Sequence, residues 1–150
     1  QSFDCEILAH DIRDYSDFYA ANQVQAVDLG TLLKCSDIVT LHVPLDPSTR
    51  GILSGKCLTL MKPDSILINT ARGGLVDEQF LKKMLEEGHL AAAAFDVFSV
   101  EPPEDLELLS LPNFFSTPHI GGSSKEAILA MGRAAILGLT DNEIPTRDFG

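Results

Sequence analysis

Arg72, Glu101 and His119 are side chains whose types could bind an anion and move a proton. Arg72 stands in "LINTARGGLVDEQF" (67–80), where an apolar run meets Arg-Gly-Gly and then a helix-like segment. A guanidinium is permanently charged, and its fork matches a carboxylate in bidentate geometry. Placed after a buried strand it needs an anionic partner, because desolvating it unpaired is costly. Two partners fit: a bound anion, or a structural salt bridge to one of the chain's many acids. Gly73 and Gly74 suit a tight strand-to-helix turn, and equally the close approach of a ligand at a strand end. Glu101 and His119 suggest a second chemistry. A carboxylate that hydrogen-bonds an imidazole fixes its tautomer and favours the protonated form, keeping a proton available for transfer.

Other polar residues close apolar runs: Asp11 after "CEILAH", His42 after "SDIVTL", Asp96 after "AAAAF". An acid in the place of Asp11 can accept both hydroxyls of an adenine ribose, or simply cap the next turn; taken alone, capping is the better reading. His42 by itself reads as a packed or capping histidine, and His10 and His89 as solvated surface.

The elements that must position these residues alternate. Short strands are expected at 5–11, 23–28, 36–44, 64–70, 91–98 and from 113. Helices are expected after Asp28, as a turn and then a short helix within 47–61, and over 76–90, where Phe80, Leu81, Met84 and Leu85 recur at helical spacing. Ser123 and Glu126 form a capping box for a helix through about Leu139. "SVEPPEDLELLSLP" reads as a Pro- and acid-rich loop, and 141–150 as an exit linker or tail. Apolar strands alternating with helices argue for an α/β fold with a parallel sheet buried on both faces.

Bulk composition narrows the partners. With 45% hydrophobic and 22% charged residues, the chain has the make-up of a folded globular protein. Eleven Lys and Arg against 22 Asp and Glu give a formal net charge of -11, which repels nucleic-acid phosphates and anionic lipid. No apolar run reaches the roughly 18 residues of a membrane span, and "QSFDCEILAHD" does not show a basic region followed by a signal-peptide core. Cys5, Cys35 and Cys57 are widely spaced and form no metal-ligand pattern with any histidine, so no metal is expected. They read as buried, reduced thiols of a cytoplasmic protein.

Taken in order, "HVPLDPSTRGIL" (42–53), "LINTARGGLVDE" (67–78), "AAFDVFSVEPP" (93–103) and "TPHIGGSSKEA" (117–127) resemble the D-isomer-specific 2-hydroxyacid dehydrogenases. "HIGGSSKEA" is most similar to the phosphoglycerate dehydrogenase branch. The resemblance implies a Rossmann-like doubly wound sheet, NAD as cofactor, a small 2-hydroxy or 2-keto acid (3-phosphoglycerate in the nearest branch) as substrate, and a homo-oligomer, often a dimer. It implies that Arg72 binds the substrate's carboxylate and keto oxygen, that His119 is the general acid/base, and that Glu101 supports it. Asp11 would hold the adenine ribose and favour NAD over NADP. Val43 and Pro44 would line the adenine pocket. Thr70, Ala71 and Asp96 would flank the nicotinamide end, with His119, Ile120, Gly121 and Gly122 closing over it. Corepressors that share this architecture resemble the same motifs. A non-catalytic NAD-responsive binding protein, or an inactive fragment, is therefore the alternative.

One expected feature is missing. A dinucleotide fold carries G-x-G-x-x-G about 20 residues before its ribose acid. Only ten residues precede Asp11, and none of the 11 glycines falls in that pattern. The expectation is a partial NAD-binding domain over 1–140, with its first strand and glycine-rich loop upstream of Gln1 and its substrate domain outside this chain. In the strand order 3-2-1-4-5-6 the first strand joins the second to the fourth. Without it, the Asp11 strand should separate from the rest of the sheet and leave two edges exposed.

Overall fold

The computed structural model describes residues 4–140, so the expected tail at 141–150 lies outside the described residues. The chain divides into two compact units between Pro118 and His119.

Among the described residues the first unit holds six strands, all paired in parallel. β1 (Ile7–Ala9) pairs with β2 (Val24–Ala26), and β3 (Ile38–Leu41), β4 (Ile66–Asn69), β5 (Ala92–Phe95) and β6 (Phe114–Ser116) form a separate sheet in that order. Among the described residues β1 and β3 each leave one edge without a strand, and the sheet divides where the strand order places its first strand. Helices α1 (Ser16–Asn22), α2 (Leu29–Cys35), α3 (Gly55–Leu58), α4 (Glu78–Glu86) and α5 (Leu106–Leu109) connect the strands.

Local chemistry explains most of the boundaries. The Asp28 carboxylate accepts the Thr31 amide at 2.9 Å and the Thr31 hydroxyl at 2.6 Å, capping α2. These bonds, the hydroxyl's first, hold the Asp28 carboxyl below its usual range. Asp77 caps α4 through the Phe80 amide at 3.0 Å, and α4 ends before Gly88, whose φ of 70° suits a residue without a Cβ. Two helices escape the sequence reading. α1 begins where the Asp14 carboxylate accepts the Ser16 amide at 2.9 Å. α5 lies inside the expected acidic loop, because Asp105 accepts the amides of Glu107 and Leu108 and so caps one short turn.

The sheet buries one face rather than two. Val39, Leu67, Ala93 and Phe114 stand in register across the four strands, followed by Leu41, Asn69 and Phe95. All are buried, whereas Ile66, Ile68, Ala92 and Ala94 on the other face are half-buried and Ile38 is exposed. Leu33, Leu58, Leu81, Met84, Leu85 and Leu108 from the helices complete the core. Each such side chain contributes roughly 1.5–3 kcal/mol by leaving water. Phe95, Phe98 and Phe114 pack their rings with centroids 5.4–6.2 Å apart, anchoring the segment after β5.

The thiols depart from expectation. Cys5 and Cys35 are exposed and Cys57 is half-buried, all unbridged, since their segments are only partly covered. His89 is not solvated surface either: it is half-buried, with its Nε2 3.1 Å from the Met61 carbonyl.

The second unit opens with a turn in which the Ser123 amide donates to the Ile120 carbonyl, followed by α6 (Lys125–Thr140). Ser124, not Ser123, caps this helix, its hydroxyl accepting the Ala127 amide at 3.1 Å. The capping position is therefore one residue later than the sequence box suggests. Ile128, Leu129, Met131, Ile136, Leu137 and Leu139 are all more than half exposed. No helix among the described residues is long and apolar enough to cross a membrane.

Candidate functional site

Parallel register brings the polar strand ends to one rim. Leu41, Asn69 and Phe95 are aligned, as are Phe95 and Ser116, so the residues that follow, His42, Thr70, Asp96 and Thr117, share one edge of the sheet. Ligands in open parallel sheets sit beyond these carboxyl ends.

An open cleft of about 610 Å³ lies at this rim. His42, Val43, Pro44 and Leu45 form one wall, and Thr70, Ala71 and Arg72 the other. Val43, Pro44, Thr70 and Ala71, expected at the cofactor, and Arg72, expected at the substrate, thus meet in one place; His42, read as a packed or capping residue, lines the cleft beside them. The first wall is stiffened by Asp46, whose carboxylate accepts the Ser48 hydroxyl and amide at 2.7 Å each, while the Thr49 hydroxyl donates to the Pro44 carbonyl at 2.6 Å. The Ser48 bonds hold the Asp46 carboxyl below the usual carboxylate range.

The second wall is shaped by Asn69, which sequence reasoning noted only as a polar strand end. It is 1% exposed. Its Oδ1 accepts the Ala71 amide at 3.1 Å and its Nδ2 donates to the Arg72 carbonyl at 3.0 Å, folding "TAR" into a loop. Residues 51–53 support the descending arm: the Gly51 amide donates to Gly74, and Leu53 bridges to Val76. Gly74 has a φ of 78° and passes the Arg50 side chain; a Cβ there would lie 3.3 Å from Arg50 Nη1. Gly73 is required by space. A Cβ on it would fall 1.8 Å from the Phe98 carbonyl oxygen.

Arg72 itself is exposed rather than buried, so the expected desolvation cost does not arise. Its Nη1 donates to the Ala71 carbonyl at 2.6 Å, and among the described residues it forms no salt bridge with a carboxylate. Arg72 lines the cleft, and one hydrogen bond uses only one of the five donors of its guanidinium.

Asp96 is buried at the same rim and accepts the Thr117 hydroxyl at 2.5 Å. Thr117 is a further residue the sequence reading passed over; only its place before Pro118-His119 hints at it. Glu101 lies on the exposed turn after β5, its Oε1 accepting the Phe98 amide at 3.0 Å. The Glu101–Pro102 peptide is cis. His119 heads the second unit with a φ of 53°, a left-handed conformation uncommon outside glycine. Ile120, Gly121 and Gly122 follow it in the turn before α6. Asp11 follows β1 in the other sheet, exposed, and accepts the Arg13 amide at 2.8 Å, so its local turn-forming role is realised.

These residues suit parts of a dinucleotide. Val43, Pro44, Thr70 and Ala71 line a cleft of ligand size, and Asp96 places a buried carboxylate at the same edge of the sheet. No glycine cradle for a pyrophosphate occurs in the sequence. Among the described residues no group of three His, Cys, Asp or Glu could hold a metal. A second cleft of about 570 Å³ beside Ser54, Gly55, Lys56, Thr59 and Phe80 offers one charged side chain and no proton-transfer group.

A parallel α/β unit whose strand ends line an open cleft is the layout of a nucleotide-binding domain. Comparison with known proteins makes this specific: residues 1–121 match the family model "D-isomer specific 2-hydroxyacid dehydrogenase, NAD binding domain", and the chain belongs to that family. It is 50% identical over 105 residues to D-3-phosphoglycerate dehydrogenase of Methanocaldococcus jannaschii, a match covering 70% of this chain and 20% of that protein. It is 49% identical over 112 residues to hydroxypyruvate reductase of Thermotoga maritima, covering 73% and 37%. The crystal structure of a glyoxylate reductase from Paecilomyes thermophila superposes with a TM-score of 0.86 at 32% identity, over 93% of this chain and 42% of that one. The chain thus spans well under half the length of these proteins.

Proposed function

We propose that this chain is the cofactor-binding part, over residues 1–140, of an NAD-dependent enzyme that interconverts a 2-hydroxy acid and its 2-keto acid. The observation that carries the reading is Arg72, held at the strand rim beside a cleft and paired with no carboxylate among the described residues. NAD, held by the residues named below, would supply the redox chemistry as hydride acceptor or donor.

The protein's own groups do the rest. Arg72 binds the substrate carboxylate in bidentate fashion and offsets negative charge on the keto oxygen as hydride arrives. His119 takes the hydroxyl proton during oxidation and gives it back during reduction, while Glu101 fixes the imidazole tautomer. Asp11 accepts the ribose hydroxyls and repels a 2′-phosphate, selecting NAD over NADP. Val43 and Pro44 serve the adenine side, and Thr70, Ala71 and Asp96 the nicotinamide side. Ile120, Gly121 and Gly122 belong with His119 among the cofactor-binding residues of this reading.

The phosphoglycerate dehydrogenase, hydroxypyruvate reductase and glyoxylate reductase relatives are named for small 2-hydroxy or 2-keto acids that differ in side chain. That class is the substrate proposed here, with 3-phosphoglycerate the first candidate. Unbridged, exposed Cys5 and Cys35 support a reducing cytoplasmic setting. The apolar, exposed flank of α6 supports assembly as a homo-oligomer, a dimer being the simplest. The net charge of -11 speaks against nucleic acid or an anionic membrane surface as partner.

The test is NADH oxidation by the full-length protein across a panel of 2-keto acids. Rapid turnover with at least one, reduced by roughly 10²–10⁴-fold in His119→Ala, supports the reading. Tight NADH binding without turnover of any 2-keto acid rejects it in favour of a binding protein.

A further inference from the structure

Glu101 sits where burial cannot hold it. Phe98 is buried, but Ser99, Val100 and Glu101 are exposed, Val100 by 56%. A carboxylate that must orient an imidazole needs its position fixed to a fraction of an ångström. The fixing groups come from outside the turn. Glu78, in the first turn of α4, extends Oε1 to Ser99 and accepts both its amide and its hydroxyl, each at 2.8 Å. On the other side, the backbone of Gly73 lies directly under the same peptide; a Cβ there would be 1.8 Å from the Phe98 oxygen and 2.5 Å from the Ser99 nitrogen. The Phe98 amide then closes the turn on Glu101 Oε1 at 3.0 Å.

We infer that Glu78 is a positioning residue for Glu101: it clamps the Ser99 peptide against Gly73 and so ties the Glu101 turn to the loop that presents Arg72. The inference rests on the proposed role of Glu101 and adds a residue to it. An acid in the first turn of a helix ordinarily acts through the helix dipole, which requires only its charge. The clamp requires reach and an accepting oxygen instead. Glutamine keeps the reach and the oxygen but not the charge. Aspartate keeps the charge but is one methylene too short.

The two conservative variants therefore separate the roles in the full-length protein. Glu78→Gln should retain most of the keto-acid reduction rate. Glu78→Asp should lower kcat by roughly 10–100-fold with little change in KM or in NADH affinity read by fluorescence, as a misplaced catalytic group does. The Ser99 amide should exchange hydrogen faster in Glu78→Asp and at the native rate in Glu78→Gln. In a Glu101→Gln background, Glu78→Asp should cost no more than about twofold further, because the group it positions is already gone. The opposite ranking, with Asp native-like and Gln impaired, would overturn the clamp, as would full additivity in the double variant. If Glu101→Gln alone keeps the native kcat, the role of Glu101 falls and the inference with it. A slow Glu101→Gln beside a native Glu78→Asp removes Glu78 only.

Discussion

Asn69 grips Arg72 by its backbone: the Asn69 Nδ2 donates to the Arg72 carbonyl at 3.0 Å from a side chain that is 1% exposed. Its Oδ1 takes the Ala71 amide, so both ends of the side chain are satisfied by the loop it shapes. The residue stands in the core row between Leu41 and Phe95, which connects packing of the sheet to the pose of the arginine. Asn69→Leu fits the apolar row but leaves an amide and a carbonyl without partners. It should cost about 1–3 kcal/mol in urea unfolding and lower kcat/KM for the keto acid. A Leu variant with native stability and native rate would mean that the loop holds its shape unaided.

Gly73 carries a steric demand rather than a conformational one. Alanine at this position must displace the Phe98–Ser99 peptide, since the added carbon would lie 2.0 Å from the Phe98 carbonyl carbon. Overpacking of this kind costs about 1–3 kcal/mol, and here it also pushes away the turn bearing Glu101. Gly73→Ala should therefore lose kcat beyond its loss of stability. Measured side by side with thermal melting, a purely proportional loss would argue against the coupling.

Acid should loosen the α4–α5 contact. Asp105 accepts the Leu108 amide, pairs with Lys82 and takes a bond from Gln79, and these bonds, the backbone one first, hold its carboxyl below the usual range. Lys82, bonded to Glu107 and Asp105, is shifted upward. A carboxyl depressed in the folded state stabilises fully above its unfolded value of about 3.9 and loses that contribution as pH falls through the folded value. Asp105→Asn keeps a capping oxygen but does not titrate. Melting curves from pH 7 to pH 3 should show wild type above the variant at neutral pH, with the gap closing in acid. A gap that stays constant would show that the titration of Asp105 contributes nothing.

Local features were legible in the sequence, and distant ones were not. Asp28 capping α2 acts over three residues, so spacing reveals it. The apolar runs ending at Asn69 and Phe95 place the rim, and with it Arg72 and Asp96. α5 was hidden because Pro102, Pro103 and the surrounding acids read as loop, while a single cap at Asp105 suffices for four residues. The Glu78–Ser99 and Asp96–Thr117 bonds each join residues 21 apart, and no local pattern announces them. Burial of both sheet faces and of the thiols was expected from apolar context, but β1 and β3 each lack a neighbour on one side among the described residues. Ile38 on β3 stays exposed, although Val39 and Leu41 on the other face of the same strand are buried.

The central claim is that Arg72 binds the substrate rather than the fold. Its most direct test is kcat/KM for a 2-keto acid in full-length Arg72→Ala, read alongside the melting temperature. The account predicts a fall of at least about 100-fold, the scale of losing a charged donor to a reacting oxygen, with native stability because Arg72 pairs with no carboxylate among the described residues. A variant that reduces the keto acid at the native rate, or one that fails only because it unfolds, would contradict it.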